Sequence, residues 1–111
     1  MFINKNYKSK NKNHKSEKNI TINSYHLIGY GNELFYDEVE MNLCNNLNYK
    51  FERHLGFLYE IFSGGFGILK DSTENNIFHI HIIKSKTLDL RIRQLMEECN
   101  DENKYIKIFF E

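Results

Sequence analysis

The sequence contains no proline, no tryptophan and only two cysteines, and it has no long apolar run. A membrane-spanning helix needs about 20 consecutive apolar residues, and no run in this chain approaches that length. The first 18 residues also lack the apolar segment of a secretory signal, so we expect a cytoplasmic protein. Nine phenylalanines and seven tyrosines are typical of a globular chain and not of a disordered one.

The few residues that bind metals or form disulfides are poorly placed for either role. Cys44 and Cys99 form no C-x-x-C pair and show no metal-ligand spacing, so we expect two free thiols that are buried or half-buried. His79 and His81 would project from one face of a strand, and His26 could join them. No carboxylate or cysteine stands nearby at ligand spacing, so we predict partly buried histidines and no metal site.

Motifs of catalysis are also missing. No glycine-rich phosphate loop or dinucleotide-binding motif follows a predicted strand, and none of the serines lies in a nucleophile elbow. We therefore predict a protein that is not an enzyme and that uses no cofactor. An enzyme with an unrecognised site stays open as an alternative.

The formal net charge of zero hides an uneven distribution. Residues 1–18 contain six lysines and one glutamate, whereas residues 19–111 contain nine basic and fourteen acidic residues. Low apolar content predicts that residues 1–18 are a disordered basic tail and that residues 19–111 form one domain. An acidic domain disfavours nucleic acid as its partner and favours a cationic protein, although the tail itself could contact RNA or a membrane surface.

Hydrophobic periodicity predicts an α/β domain with six main elements. They are a strand in the 19–30 region, a helix over 33–47 capped by Asn32, a helix over 52–62, a strand over 77–83, a helix over 87–100 capped by Thr87 and a strand over 105–110. The order β-α-α-β-α-β predicts a parallel sheet with helical crossovers. The continuous apolar run at 77–83 predicts a strand covered on both faces.

The second predicted helix has an unusual polar stripe. Its apolar residues cover more than half of the circumference and leave Arg53, Gly56 and Glu60 as a narrow stripe. A glycine inside a helix costs about 0.5–1 kcal/mol relative to alanine. Gly56 therefore either lets another backbone come close or leaves room beside Glu60 for a partner's side chain. The adjacent Gly64 and Gly65 predict a left-handed cap at the end of this helix.

The third predicted helix ends in a cluster of carboxylates: Glu97, Glu98, Asp101 and Glu102. Negative charges in a last turn oppose the helix dipole and repel one another. Such a cluster is either a solvated end that favours solubility or a patch that faces a partner. The sequence leaves both interpretations open.

The segment LNYKFERHLGFLYEIFSGGFG, residues 47–67, resembles the barstar family, inhibitors of barnase-type ribonucleases. Tyr49 and Phe51 stand in the aromatic lead-in of the family, and Leu55 stands at its helix leucine. Tyr59 and Glu60 stand at its aromatic–Asp pair, and Ser63-Gly64-Gly65-Phe66-Gly67 matches its glycine turn. The resemblance continues more weakly over residues 19–111. His54 and Gly56 replace the Asn and Asp that the family carries on this helix.

This resemblance implies an α/β, barstar-like two-layer fold with a three-stranded parallel sheet backed by helical crossovers. It also implies an immunity protein that forms a one-to-one complex with a ribonuclease or related toxin. The second helix would enter the cationic active site, with Glu60 in place of a substrate phosphate, Tyr59 at the centre and Glu98 as a second contact. The implied partner-binding residues are Tyr49, Phe51, Arg53, His54, Gly56, Tyr59, Glu60, Gly64, Gly65 and Glu98. The alternative is a regulatory protein-binding module of the same fold that no longer targets a ribonuclease.

Overall fold

The computed structural model describes residues 15–24, 31–45 and 50–111. These residues form β1 (Ser16–Asn23), α1 (Glu33–Leu43), α2 (Leu55–Phe62), β2 (Asn76–Ile83), α3 (Leu90–Glu102) and β3 (Ile106–Phe110). Short 3-10 turns precede β2 at Ile68–Asp71 and α3 at Ser85–Thr87. The predicted order β-α-α-β-α-β is therefore confirmed. None of the helices in the described ranges combines the length and apolar character that a bilayer span requires.

The strands form a three-stranded parallel sheet in the order β1-β2-β3. Parallel strands need crossover connections, and the helices between them supply these. Alternate strand residues are buried on one face of the sheet: Ile22, Phe78, Ile80, Ile82, Ile106 and Ile108. The helices contribute the rest of the core, with Val39, Leu43, Leu58, Ile61, Phe62, Ile92 and Met96 almost fully buried. The molecule is thus a small α/β domain with a parallel sheet, as predicted.

The opposite face of the sheet carries half-buried and exposed side chains among the described residues. His79 and His81 lie there beside Phe109, whose ring centroid is 5.2 Å from that of His81. His81 also forms hydrogen bonds to Asn19 and Glu111. The prediction that β2 is covered on both faces is therefore wrong as far as the described residues go, because polar neighbours on β1 and after β3 satisfy His81 on this face. The predicted half-buried state of His79 and His81 is confirmed.

Both cysteines are free thiols in the core, as predicted. Cys99 is fully buried and Cys44 is 5% exposed. Burial raises the pKa of each thiol to about 11, so both remain protonated and unreactive near neutral pH.

The first strand begins earlier than the composition predicts. The backbone amide of Ser16 donates to Asn75 O at 2.8 Å, and Ser16 pairs in register with Asn76 at the start of β2. Residues 16–18 are therefore strand and not tail, because pairing with β2 compensates for their polar side chains. The rest of the predicted tail, residues 1–14, and the later part of the predicted first strand, residues 25–30, lie outside the described residues.

Two helices also begin later than predicted. α2 starts at Leu55, because His54 has an extended backbone (φ −152°) and acts as the N-cap. α3 starts at Leu90, where Asp89 is the cap, and Thr87 instead closes the preceding 3-10 turn. Asn32 does stand at the N-cap position of α1, but its amide donates to Asp89 at 3.2 Å and does not cap the helix.

Candidate functional site

The amphipathic character of α2 decides which of its side chains are accessible. Leu58, Ile61 and Phe62 are fully buried against the rest of the core. Gly56, Tyr59 and Glu60 are exposed on the other side. The predicted exposure of Gly56 and Glu60 is thus confirmed, and Tyr59 joins them with 42% of its surface accessible.

The end of α2 is a glycine cap of the predicted kind. Gly64 has a left-handed backbone (φ +86°), and its amide donates to Ile61 O at 3.1 Å. The amide of Gly65 donates to Glu60 O at 2.8 Å. This pair of hydrogen bonds defines a Schellman motif, and it places Glu60 in the last turn of the helix.

Tyr59 connects α2 to the last turn of α3. Its hydroxyl donates to the Glu102 carboxylate at 3.2 Å. This hydrogen bond raises the pKa of Tyr59 above its ordinary value of 10.0, and the negative charge of Glu98 adds to the effect. Glu102 was not among the predicted site residues. Its spacing of four from Glu98 was the available signal, because residues four apart share one face of a helix.

The carboxylate of Glu60 has no hydrogen-bond or ion-pair partner among the described residues. α2 has no basic residue in its last turn, and α3 has none in its own. The ends of the two helices meet, since the side chain of Asn103 donates to Phe62 O at 3.4 Å. Two negative dipole ends and the carboxylates of Glu60, Glu98 and Glu102 therefore lie in the same part of the molecule. We call these three carboxylates with Tyr59 the acidic helix-end surface.

His54 fixes the start of α2. Its Nδ1 accepts a hydrogen bond from the Phe57 amide at 3.1 Å, and its Nε2 contacts Glu52 at 3.0 Å. Nδ1 can accept only when it carries no proton. In the ring that caps the helix the proton is therefore on Nε2, and this N–H donates a hydrogen bond to Glu52. The role of His54 in this structure is thus to cap a helix, at the end of α2 far from Gly64.

Arg53 precedes α2 and is directed toward α1. Its guanidinium contacts Asp37 at 2.6 Å, Glu33 at 3.0 Å and Glu40 at 3.5 Å. The hydrogen bond to Asp37 raises the pKa of Arg53, and the ring of Tyr36 lies below the guanidinium at 5.9 Å. Arg53 therefore does not form a stripe with Glu60, because it lies outside the helix and its charge is already paired.

The other predicted site residues fall in different places. Phe51 is half-buried and packs edge-to-face on Phe57, with ring centroids 5.1 Å apart. A Cβ added to Gly56 would meet only ring atoms of the capping histidine, at 3.3 Å, so no other described backbone approaches this glycine. Tyr49 lies outside the described residues. The structure thus brings Tyr59 into contact with α3 and Gly65 next to Glu60, whereas Phe51 lies in an aromatic cluster beside α1.

The remaining features of the described chain offer little chemistry. Residues 15–24, 31–45 and 50–111 contain no group of three or more His, Cys, Asp or Glu that could hold a metal ion. An open cleft between β1 and α1 is lined by Asn23, Leu34, Asp37, Glu38 and Met41. Its carboxylates are already engaged, since Glu38 accepts from the Asn23 amide at 2.9 Å and Asp37 binds Arg53.

No model of a known protein family matches the chain, and no curated protein is detectably similar to it. The resemblance to the barstar family therefore stays a prediction drawn from the residues. What the acidic helix-end surface can do follows from its chemistry. An exposed aromatic ring can pack against a protein surface, and the exposed carboxylates beside it can accept hydrogen bonds from arginine or lysine.

Proposed function

We propose that the protein is a barstar-like inhibitor that binds the cationic active site of a barnase-type ribonuclease, or of a related toxin, and blocks it. The acidic helix-end surface is the proposed contact. Glu60 occupies the position of a substrate phosphate, Tyr59 packs at the centre, and Glu98 and Glu102 accept further hydrogen bonds. The protein itself performs no catalysis in this proposal and requires no cofactor.

The observation that carries the proposal is the meeting of two helix C-termini whose negative charge is not offset by a basic residue in either last turn. Neither α2 nor α3 has a basic residue in its last turn, and both carry carboxylates there. Each helix C-terminus behaves as about half a negative charge, so the dipoles and the carboxylates add at one place. Such an arrangement is unfavourable in the isolated protein and becomes favourable when a cationic surface covers it.

The position of Tyr59 supports the same proposal. The ring is 42% exposed, and its hydroxyl is tied to Glu102. Aromatic side chains that are held in place before binding lose little conformational entropy on association, and tyrosine is enriched among the residues that dominate interface energies. The three-stranded parallel sheet backed by helices also agrees with the fold that the resemblance implies.

The structure narrows the proposed contact residues. Three of the residues that the resemblance implies make contacts within the protein. Arg53 forms an ion pair with Asp37 on α1, His54 caps α2, and Phe51 packs on Phe57. The contact is therefore centred on Tyr59, Glu60 and the last turn of α3. Gly64 and Gly65 contribute by shaping the end of α2.

The test is inhibition of purified barnase by the full chain and by three variants. Replacing a central interface carboxylate typically costs at least about 2 kcal/mol, so Glu60→Ala should raise the inhibition constant by roughly 30-fold or more. Glu60→Gln isolates the charge and should lose most of the same affinity. Glu97→Ala is the matched control, because Glu97 is also an exposed glutamate but pairs with Arg93 at 3.4 Å within α3. Raising the salt concentration should slow association, as expected for opposite charges.

Two results would contradict the proposal in different ways. Equal inhibition constants for the wild type and Glu60→Ala would show that Glu60 does not contact the ribonuclease. Absence of any inhibition, together with one-to-one binding to a protein without nuclease activity, would favour the regulatory binding module. The absence of a second carboxylate on the exposed face of α2 favours that second candidate, since Gly56 stands at the position one turn before Glu60.

A further inference from the structure

The physical reason for a glycine differs between Gly64 and Gly65, the two adjacent glycines after α2. Gly64 needs its left-handed backbone (φ +86°), which other residues adopt only with strain. Gly65 is not among the glycines with positive φ, so its backbone would accept an alanine. A reason for the second glycine must therefore lie in the space around it and not in its dihedral angles.

That space is occupied by the side chain of Glu60. A Cβ built on Gly65 would stand 2.7 Å from Glu60 Oε2, 3.3 Å from the backbone oxygen of Glu60 and 3.9 Å from its carboxyl carbon. Contacts under about 3.0 Å are closer than the van der Waals separation of these atoms allows, so one of the groups must move. The carboxylate would move, because it is the exposed end of a flexible side chain with no described partner.

We infer that Gly65 is a positioning residue for the Glu60 carboxylate: the missing side chain at Gly65 lets Glu60 fold back over the Schellman turn. The hydrogen bond from the Gly65 amide to Glu60 O, at 2.8 Å, keeps the two residues in this relation. In this rotamer the carboxylate lies close to the negative end of the α2 dipole, so both can attract the same cation of a partner. This inference rests on the proposed function for its consequence in binding, but not for the geometry itself.

The first experiment requires no partner. Side-chain scalar couplings in solution report the χ1 and χ2 populations of Glu60 in the wild type and in Gly65→Ala. The inference expects the Glu60 rotamer that folds over the turn to be populated in the wild type and depleted in Gly65→Ala. Gly56→Ala is the matched control, because it adds the same methyl group on α2 where only the His54 ring lies within 4 Å. Identical Glu60 rotamer populations in the wild type and Gly65→Ala would overturn the inference.

The second experiment is a double-mutant cycle for inhibition of barnase with the same full-length chain. Gly65→Ala should raise the inhibition constant about tenfold in the wild type and less than about twofold in the Glu60→Ala background, because residues that act through each other are not additive. A tenfold loss that persists without Glu60 would mean that Gly65 acts by another route, and the inference would fail. If barnase is not inhibited at all, the proposed function fails, and the rotamer measurement still decides the inference.

Discussion

The ion pairs between Arg53 and the carboxylates of α1 permit a quantitative prediction of how the variant Arg53→Met changes the free energy of unfolding. This variant removes the charge and keeps most of the apolar stem. The guanidinium has two short ion pairs, to Asp37 at 2.6 Å and Glu33 at 3.0 Å, and a longer one to Glu40 at 3.5 Å. Its side chain is 32% exposed, so the pairs lie at the protein surface. Exposed pairs contribute about 0.2–1 kcal/mol each, so we take about 1 kcal/mol for this network.

Two smaller terms add to the loss. The guanidinium lies 5.9 Å from the Tyr36 ring centroid and 5.8 Å from that of Phe51, and exposed cation–π contacts contribute about 0.5 kcal/mol. Without the arginine, the carboxylates of α1 stand three and four residues apart and repel one another by about 0.2–0.5 kcal/mol for each pair. Arg53→Met should therefore lower the free energy of unfolding by roughly 2–2.5 kcal/mol at low salt.

Urea denaturation with an unchanged m-value measures this loss. At 1 M NaCl the screening length falls to about 3 Å, so the difference between wild type and variant should shrink to about half. Arg53→Lys is the control, since it keeps a charge but not the planar fork, and its loss should be intermediate. A loss below about 0.5 kcal/mol, or one independent of salt, would refute the reasoning about the ion-pair network. If Arg53→Met were as stable as the wild type but inhibited barnase more weakly, Arg53 would be a contact residue of the proposed interface.

Two further predictions concern helix caps. His54→Ala should cost about 1 kcal/mol of stability, because the Phe57 amide loses its acceptor, whereas His54→Asn should restore most of it; equal denaturation midpoints for the wild type and His54→Ala would contradict the capping role. The hydrogen bonds from Arg91 and Asn32 lower the pKa of Asp89 from its ordinary 3.8 to about 2. The lowered pKa stabilises the fold above pH 3.8, and this stabilisation is lost as the pH falls through 2. Asp89→Asn should therefore be less stable than the wild type by about 1 kcal/mol at pH 6, and the difference should disappear below about pH 2. Denaturant titrations across this pH range measure the gap, and a gap that does not change with pH would contradict the assignment.

Local sequence patterns predicted much of the fold correctly. The apolar spacing of α2 follows from helix geometry alone, so its buried face could be read from Leu58, Ile61 and Phe62. The cap at Gly64 could also be predicted, because the hydrogen bonds that define it span only a few residues. The same holds for the element order, which restricts the sheet to a parallel topology.

Element boundaries and side-chain partners were less accessible. The strand β1 begins at Ser16 because it pairs with Asn76, which lies 60 residues further along the chain. The predicted second layer over β2 failed because an apolar run alone does not reveal that His81 finds partners on β1 and after β3. Such partners depend on strand order and register, which a single run of residues does not specify.

The features of the candidate site also divide into those that the sequence predicts and those that depend on tertiary contacts. The sequence by itself determined that Glu60 is exposed on a helix that ends shortly before Gly64, because side-chain periodicity and backbone conformation are local properties. Only the tertiary structure decided that Arg53 forms an ion pair with α1, that His54 caps α2 and that Tyr59 donates a hydrogen bond to Glu102 on α3. These contacts join segments whose separation in space is set by packing of the helices on the sheet. Charge and exposure can therefore be read from the chain, but the neighbours that neutralise or concentrate a charge cannot.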